Sequence, residues 1–216
     1  MSFSTAASKH VYHGNPEIYF SNDQSGLSVT VATDRLRLRS IEANEEEYGR
    51  YSALFGDKTV MEKFATGKTE TPQEIIRKIK ETWAHRWRER DPYSGFAVFE
   101  KNTSEFLGHI ELEHSAPGEA ELIYLFNRSI WGKGYGTEAA LAIVEYARAT
   151  IQKGYILDGK PLKRIVATAR IDNIASNKIL RETIGMQFLG KKEKFGALRN
   201  HYVLPLNDTS KFCILQ

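Results

Sequence analysis

Cysteine is all but missing: Cys213 stands alone in a chain of 216 residues. That excludes an intramolecular disulfide and any cysteine-rich metal site. No apolar run approaches the ~18 residues of a membrane-spanning helix. The opening "MSFSTAASKHVYHGNPEIYF" lacks the basic-then-apolar layout of a secretory signal, so the expectation is a protein that folds in a cytoplasm. Nor is there an excess of charge of either sign. The 30 basic residues nearly balance 27 acidic ones, and a formal +3 draws the chain toward neither nucleic acid nor membrane. With no internal repeat or low-complexity tract, the length fits one good-sized core with an added terminal segment.

What is present divides unevenly. Residues 1–30 mix polar residues and isolated aromatics without steady periodicity, and read as an extension that is loose or draped over the body. A domain is expected over 31–207, and 208–216 form a tail. In "TDRLRLRS", Leu36 and Leu38 alternate with Arg35, Arg37 and Arg39, the pattern of a half-buried strand whose basic face is most simply solvated. Asn44 with Glu47 has the spacing of a capping box and opens a short amphipathic helix that stops at Gly56. Thr71, Pro72 and Glu74 open a second, whose Trp83 and Trp87 belong on its core face. "GFAVFE", "FLGHIELEH" and "ELIYLF" follow as a meander of antiparallel strands. After them come a helix ending at Gly154, the strand "KRIVATAR", a helix from an Asn cap to Gly185, and a last strand "HYVLPL". The sum is an α+β (α/β) domain, a mostly antiparallel sheet with helices packed on it.

The most informative stretch is "SIWGKGYGTEAALAIVEYA". A strand, then Gly132, Gly134 and Gly136, then a helix start puts outward-pointing backbone N–H groups at the positive end of a helix dipole. That is an anion cradle, and phosphate is its usual guest. Lys133 is present, but Tyr135 after Gly134 breaks the Walker pattern; Thr137 stands where the dinucleotide fingerprint needs its third glycine, and an antiparallel meander precedes the loop.

"WGKGYGTEA", with Tyr124 seven residues before its Trp131 and "DNIASNKILRETIGMQFLG" after it, resembles the GNAT superfamily of acetyl-CoA-dependent N-acetyltransferases. "TDRLRLRSIE" and "VMEKFATGKTETPQE" are similar to its RimJ/RimL-like branch, so the resemblance runs from about Thr33 to Leu206. It implies a GNAT-like mixed sheet flanked by helices, with Gly132, Lys133, Gly134, Tyr135, Gly136 and Thr137 cradling the pyrophosphate of acetyl-CoA. It also implies that Asn173 contacts the coenzyme arm, with Ser176 one turn further on. From Ser176 to Gly185 the chain is one residue longer than that branch's usual spacing. No metal is implied.

Acyl transfer to an amine needs a base for the ammonium proton, donors for the thioester oxygen and an acid for the leaving thiolate. The resemblance points to Glu121 as the base. Glu111 and Glu113 alternate with Ile110 and Leu112 and could share its cleft. Leu125 and Phe126 are candidate amide donors; Ser176, Tyr124 and Tyr202 are candidate acids, where many relatives carry a tyrosine at the position of Arg181. His109 and His114 are candidate relays and more ordinary as packed or surface residues. The expected partner is an amine acceptor, a protein N-terminus, polyamine or small molecule, met by a monomer or homodimer. The terminal "CILQ" has the layout of a prenylation box, so membrane association is expected only if Cys213 is modified; Lys211 is too small a basic cluster to supply a second anchor. The opposing reading is a non-catalytic coenzyme-binding protein that acts by interaction, anchored through that tail.

Overall fold

The computed structural model describes Tyr12 and residues 14–206; Cys213 and the rest of the tail lie outside them. The elements run β1 (Glu17–Asp23), β2 (Gly26–Ala32), β3 (Leu36–Ser40), α1 (Glu45–Gly56), α2 (Lys58–Met61), α3 (Pro72–Lys78), a π-helical turn (Ile79–Trp83) and α4 (Ala84–Arg88). Then come β4 (Gly95–Glu100), β5 (Phe106–Ala116), β6 (Glu119–Phe126), a 3₁₀ turn (Arg128–Ile130) and α5 (Tyr135–Gln152). The chain continues through β7 (Ile156–Leu157), β8 (Lys160–Pro161), β9 (Arg164–Arg170), α6 (Ile174–Lys178), a second π-helical turn (Ile179–Thr183), β10 (Gln187–Lys194) and β11 (Ala197–Pro205).

Nine strands make one sheet in the order β1-β2-β3-β4-β5-β6-β9-β11-β10, while β7 and β8 form a separate small hairpin. Every neighbouring pair in the large sheet is antiparallel except β6 and β9. The meander expected over β4–β6 is there, but β6, α5 and β9 also form a parallel crossover, so the glycine loop does follow a strand of a βαβ unit. The sheet is thus mixed and mostly antiparallel, as expected, and the strand before the loop belongs both to the antiparallel meander and to a parallel unit.

Alternation along the strands builds two cores. Leu36, Leu38, Val98, Ile110, Leu112 and Ala167 face α5, whose Ala139, Ala140, Ala142, Ile143 and Ala147 are buried against them. The small alanines let the helix lie close to the sheet. On the opposite face Ala97, Phe99 and Leu125 meet Tyr51, Leu54, Phe55, Ile75, Ile79 and Trp83 from α1, α3 and the first π turn. Trp83 and Trp87 are both core residues.

Several local expectations change. Residues 17–32 are not loose: they form β1 and β2, paired in register from Glu17 with Ala32 to Asp23 with Gly26. Asn44 caps α1 by accepting from Glu47 N, yet the Glu47 carboxylate does not close the box. It is buried under the guanidinium groups of Arg39 and Arg50. Thr71 and Glu74 do form a complete capping box. The additional residue between Ser176 and Gly185 is absorbed by the second π turn, where Ile184 N donates to Ile179 O at 2.9 Å, five residues back.

Candidate active site

β6 and β9 are paired only from Glu119 with Arg164 to Glu121 with Val166. Beyond that they diverge, and a cleft of about 1200 Å³ opens between them. Ladder parity fixes which backbone groups face it. Asn127 N donates to Leu107 O, so alternation aims the N–H groups of Leu125 and Ile123 at β5 and those of Phe126 and Tyr124 at the gap. Leu125 is therefore corrected as a donor: its N–H belongs to the sheet, and Phe126 and Tyr124 offer theirs.

At the wide end sits the start of α5. Gly134, the N-cap, has φ of +82° and no side-chain cap, and Gly132 has φ of +74°. Only glycine adopts these without strain. At Gly136 a Cβ would lie 3.3 Å from the Phe126 ring, a tight contact that the ring would have to relieve by shifting slightly. Glu138 N is the first amide bonded back into the helix, to Gly134 O, which leaves the amides of Tyr135, Gly136 and Thr137 as open donors. Lys133 N is committed to Ile130 O at 3.3 Å, so its amide is not one of them. The Tyr135 ring turns away under Arg35, with the guanidinium carbon 4.4 Å from its centroid.

Arg35 is the residue that sequence reasoning misjudged most. Rather than being solvated, its Nη2 lies 2.6 Å from the buried Glu138 carboxylate and its Nη1 donates to Lys133 O at 3.0 Å. Thr33 Oγ1 joins the same carboxylate at 2.6 Å. The start of β3 is thereby clamped to the first turn of α5, where a negative charge suits the helix dipole. A sequence signal existed in the Thr33–Arg35 and Glu138 residue types, but nothing local says that they meet.

The cleft passes through the sheet, and its two sides differ chemically. On the α5 face, the Tyr124 hydroxyl lies 2.8 Å from Ser176 Oγ. Burial pushes the Tyr124 phenol above its ordinary value, against the opposing pull of the Ser176 hydrogen bond. Asn173 spends its Oδ1 as the α6 cap, accepting from Ser176 N at 3.2 Å. On the other face, Lys194 Nζ donates to both Glu121 oxygens at 2.9 and 2.8 Å, and Thr168 Oγ1 is 3.5 Å from one of them. Glu113, paired across the strands with Glu121, also lines the cleft; burial, then the Glu111 charge, raises its carboxyl above the usual range. The outer wall comes from the α2–α3 connection, where Lys63 Nζ donates to Asp172 O at 2.9 Å and Arg170 Nη1 to Glu62 O at 3.3 Å.

The sequence profile described as acetyltransferase (GNAT) domain matches residues 35–187. The chain belongs to that family. It is 32% identical over 126 residues to the uncharacterized protein YkkB of Bacillus subtilis, a match spanning 54% of this chain and 66% of that protein. A GNAT-family acetyltransferase from Bacillus anthracis superposes with a TM-score of 0.65 at 20% identity, covering 82% of this chain and 98% of its own. The ribosomal L7/L12 acetyltransferase RimL, in complex with coenzyme A, superposes at 0.62 with 19% identity, covering 80% of this chain and 95% of its own. At these identities the likeness is one of fold.

Within this GNAT domain the cleft gathers Glu121, Tyr124, Ser176, Asn173, Phe126 and the glycine loop from across the chain. It does not gather all the candidates. Glu111 lies off the cleft: Trp83 Nε1 donates to its carboxylate at 2.6 Å and His109 Nε2 lies 3.4 Å away. Burial raises Glu111, but these two contacts outweigh it and hold the carboxyl below its usual value. His109 is fully buried beside Tyr51 and Trp83 in the core. Tyr202 donates to Asn177 Oδ1 at 2.8 Å and is not a cleft residue. His114 bridges Asp91 and Asp158 elsewhere on the surface. Lys194, from the mostly exposed β10, and Arg199, from β11, are cleft residues that sequence reasoning did not identify. Among the described residues, no group of three or more His, Cys, Asp or Glu could hold a metal ion, and no helix is long and apolar enough to cross a membrane.

Proposed function

We propose that this GNAT domain transfers an acetyl group from acetyl-CoA to a primary amine by direct attack in a ternary complex. The observation that carries the reading is the gap between β6 and β9, which joins the uncapped start of α5 on one face to the carboxylates on the other. The chain's donors fit the coenzyme. Open amides at Tyr135, Gly136 and Thr137 suit a pyrophosphate, and the cleft exceeds the volume of about 300–1,000 Å³ usual for small-ligand sites, as an elongated coenzyme requires. Bound acetyl-CoA supplies the acyl group in activated thioester form.

The chain's own groups do the rest. Glu121 receives the incoming ammonium in place of Lys194 and removes its proton, directly or through water. Glu113, beside it, is positioned to share the charge. The N–H groups of Phe126 and Tyr124 stabilise negative charge developing on the acyl oxygen. Tyr124, kept protonated by burial and held by Ser176, gives its proton to the departing sulfur. This division puts base and acid on opposite faces of the sheet, so neither neutralises the other. A protein N-terminus, as for the ribosomal-protein relatives, is one acceptor consistent with the RimJ/RimL-like motifs; a small amine is the other.

Replacing Glu121 by Gln tests the assignment. It should lower turnover about 10²–10⁴-fold with coenzyme affinity kept. Unchanged turnover would remove Glu121 from the mechanism.

A further inference from the structure

Arg199 is a buried cation without a matched anion. Its residue is 6% exposed, it lines the cleft, and no carboxylate among the described residues lies within salt-bridge distance of it. Nε donates to Thr168 Oγ1 at 3.1 Å and Nη2 to Thr168 O at 3.2 Å, while Nη1 is buried with no hydrogen-bond partner. Arginines taken out of water are ordinarily paired, because an uncompensated buried charge costs several kcal/mol. The acid nearest to hand, Glu121, has both oxygens on Lys194. Burial depresses the guanidinium below its usual value, and the Glu121 charge, already held by Lys194, offsets that only in part. A fork of five donors with only Thr168 to satisfy it is suited to a planar, bidentate anion.

Its position relative to Glu121 defines what that anion belongs to. Thr168 Oγ1 sits between the two, 3.1 Å from Arg199 Nε and 3.5 Å from Glu121 Oε1. Resting on the acetyltransfer reading above, we propose that the acceptor is an amine bearing a carboxylate two or three bonds from its nitrogen, of the α-amino acid class, with the carboxylate held by Arg199 and the amine presented to Glu121. A polyamine would instead bring a second ammonium against Arg199, Lys194 and Lys63. A peptide N-terminus would place a neutral carbonyl where the guanidinium needs charge. Phe195, at the β10–β11 turn with its ring centroid 5.7 Å from the Arg199 guanidinium carbon, gives this subsite an apolar wall.

The test compares a panel of α-amino acids with their α-carboxamides, alongside spermidine and a peptide with a free N-terminus. Release of free CoA reads turnover, and thermal stabilisation of the CoA-loaded protein reads binding. The proposal predicts at least one amino acid that exceeds its own carboxamide about tenfold or more in kcat/KM and alone shifts the melt. It also predicts that Arg199→Met abolishes this ratio and that Arg199→Lys retains part of it. The native ratio reads the proposal even if Arg199→Met fails to fold. Carboxamides, spermidine or the peptide accepted and bound equally well or better would overturn it while leaving acetyltransfer intact. Discrimination in binding with no turnover would support the subsite and count against the acetyltransfer reading. If no amino acid binds in preference to its carboxamide, the subsite is wrong whatever the turnover.

Discussion

Two residues whose chemistry can be read in isolation are Gly134 and His114. Gly134 holds φ of +82° at the mouth of the cleft, and Gly159 holds φ of +78° in the remote β7–β8 turn. Alanine at either site should cost about 1–2 kcal/mol of stability, because both backbones lie in the left-handed region. Only Gly134→Ala should weaken acetyl-CoA binding, and titration calorimetry on both variants checks the contrast. Equal affinities would detach the loop from the coenzyme. His114 is held between Asp91 at 2.6 Å and Asp158 at 2.9 Å, with the Tyr93 ring edge-on and Arg86 opposing. The hydrogen bond that His114 donates to the Asp91 carboxylate is the main cause of a folded-state value raised above 6.5. A raised value means that the protonated form is bound more tightly in the folded state, so the stabilisation is complete below about pH 6.5 and fades as pH rises through the folded value. His114→Asn should therefore lower the denaturation midpoint at about pH 6 and matter much less at about pH 9. A gap that widens with pH would contradict the ion-pair account.

Between elements, the clamp from β3 to α5 is the contact that ties the glycine loop to the sheet. Glu138 is fully buried, and Arg35 and Thr33 both reach it from the strand entry. Removing one partner of such a pair strands the other, so Glu138→Ala should cost about 3 kcal/mol. It should also raise the Kd for acetyl-CoA, because the loop residues Lys133 and Tyr135 lean on the same Arg35. A denaturant titration and a binding titration on one preparation check both halves. Stability lost with affinity unchanged would make the clamp purely structural. Elements of this kind were legible in part. α3 declared its start through Thr71, Pro72 and Glu74, and β4–β6 through their alternation. β10 did not, because it is an edge strand exposed over most of its length and interrupted by Gly190, so no burial imposes a two-residue period. β1 escaped notice for the same reason: its residues alternate only between exposed and half-buried.

At the scale of the molecule, the shape of the glycine loop was readable because it is local: backbone conformation and a helix start are written in consecutive residues. The site as a whole was not, because it is assembled by contacts between distant parts of the chain. Lys194 meets Glu121 across 73 residues, Glu138 meets Arg35 across 103, and Tyr124 meets Ser176 across 52. Arg199 carries no sequence signal at all; only burial without a counter-ion marks it. The sheet therefore acts as a partition, with the glycine loop and the start of α5 on one face, the carboxylates on the other, and the splay of β6 from β9 joining them.

A thermal melt of the purified protein with acetyl-CoA, and with NAD as control, tests the central claim most directly. At a hundredfold excess over Kd, binding to the folded state alone adds roughly 2.7 kcal/mol. For a domain of this size that corresponds to about 5 to 10 °C. The account predicts that shift with acetyl-CoA and none with NAD, and a smaller one for Gly134→Ala at the same ligand concentration. No shift with saturating acetyl-CoA, or a shift with NAD instead, would contradict it.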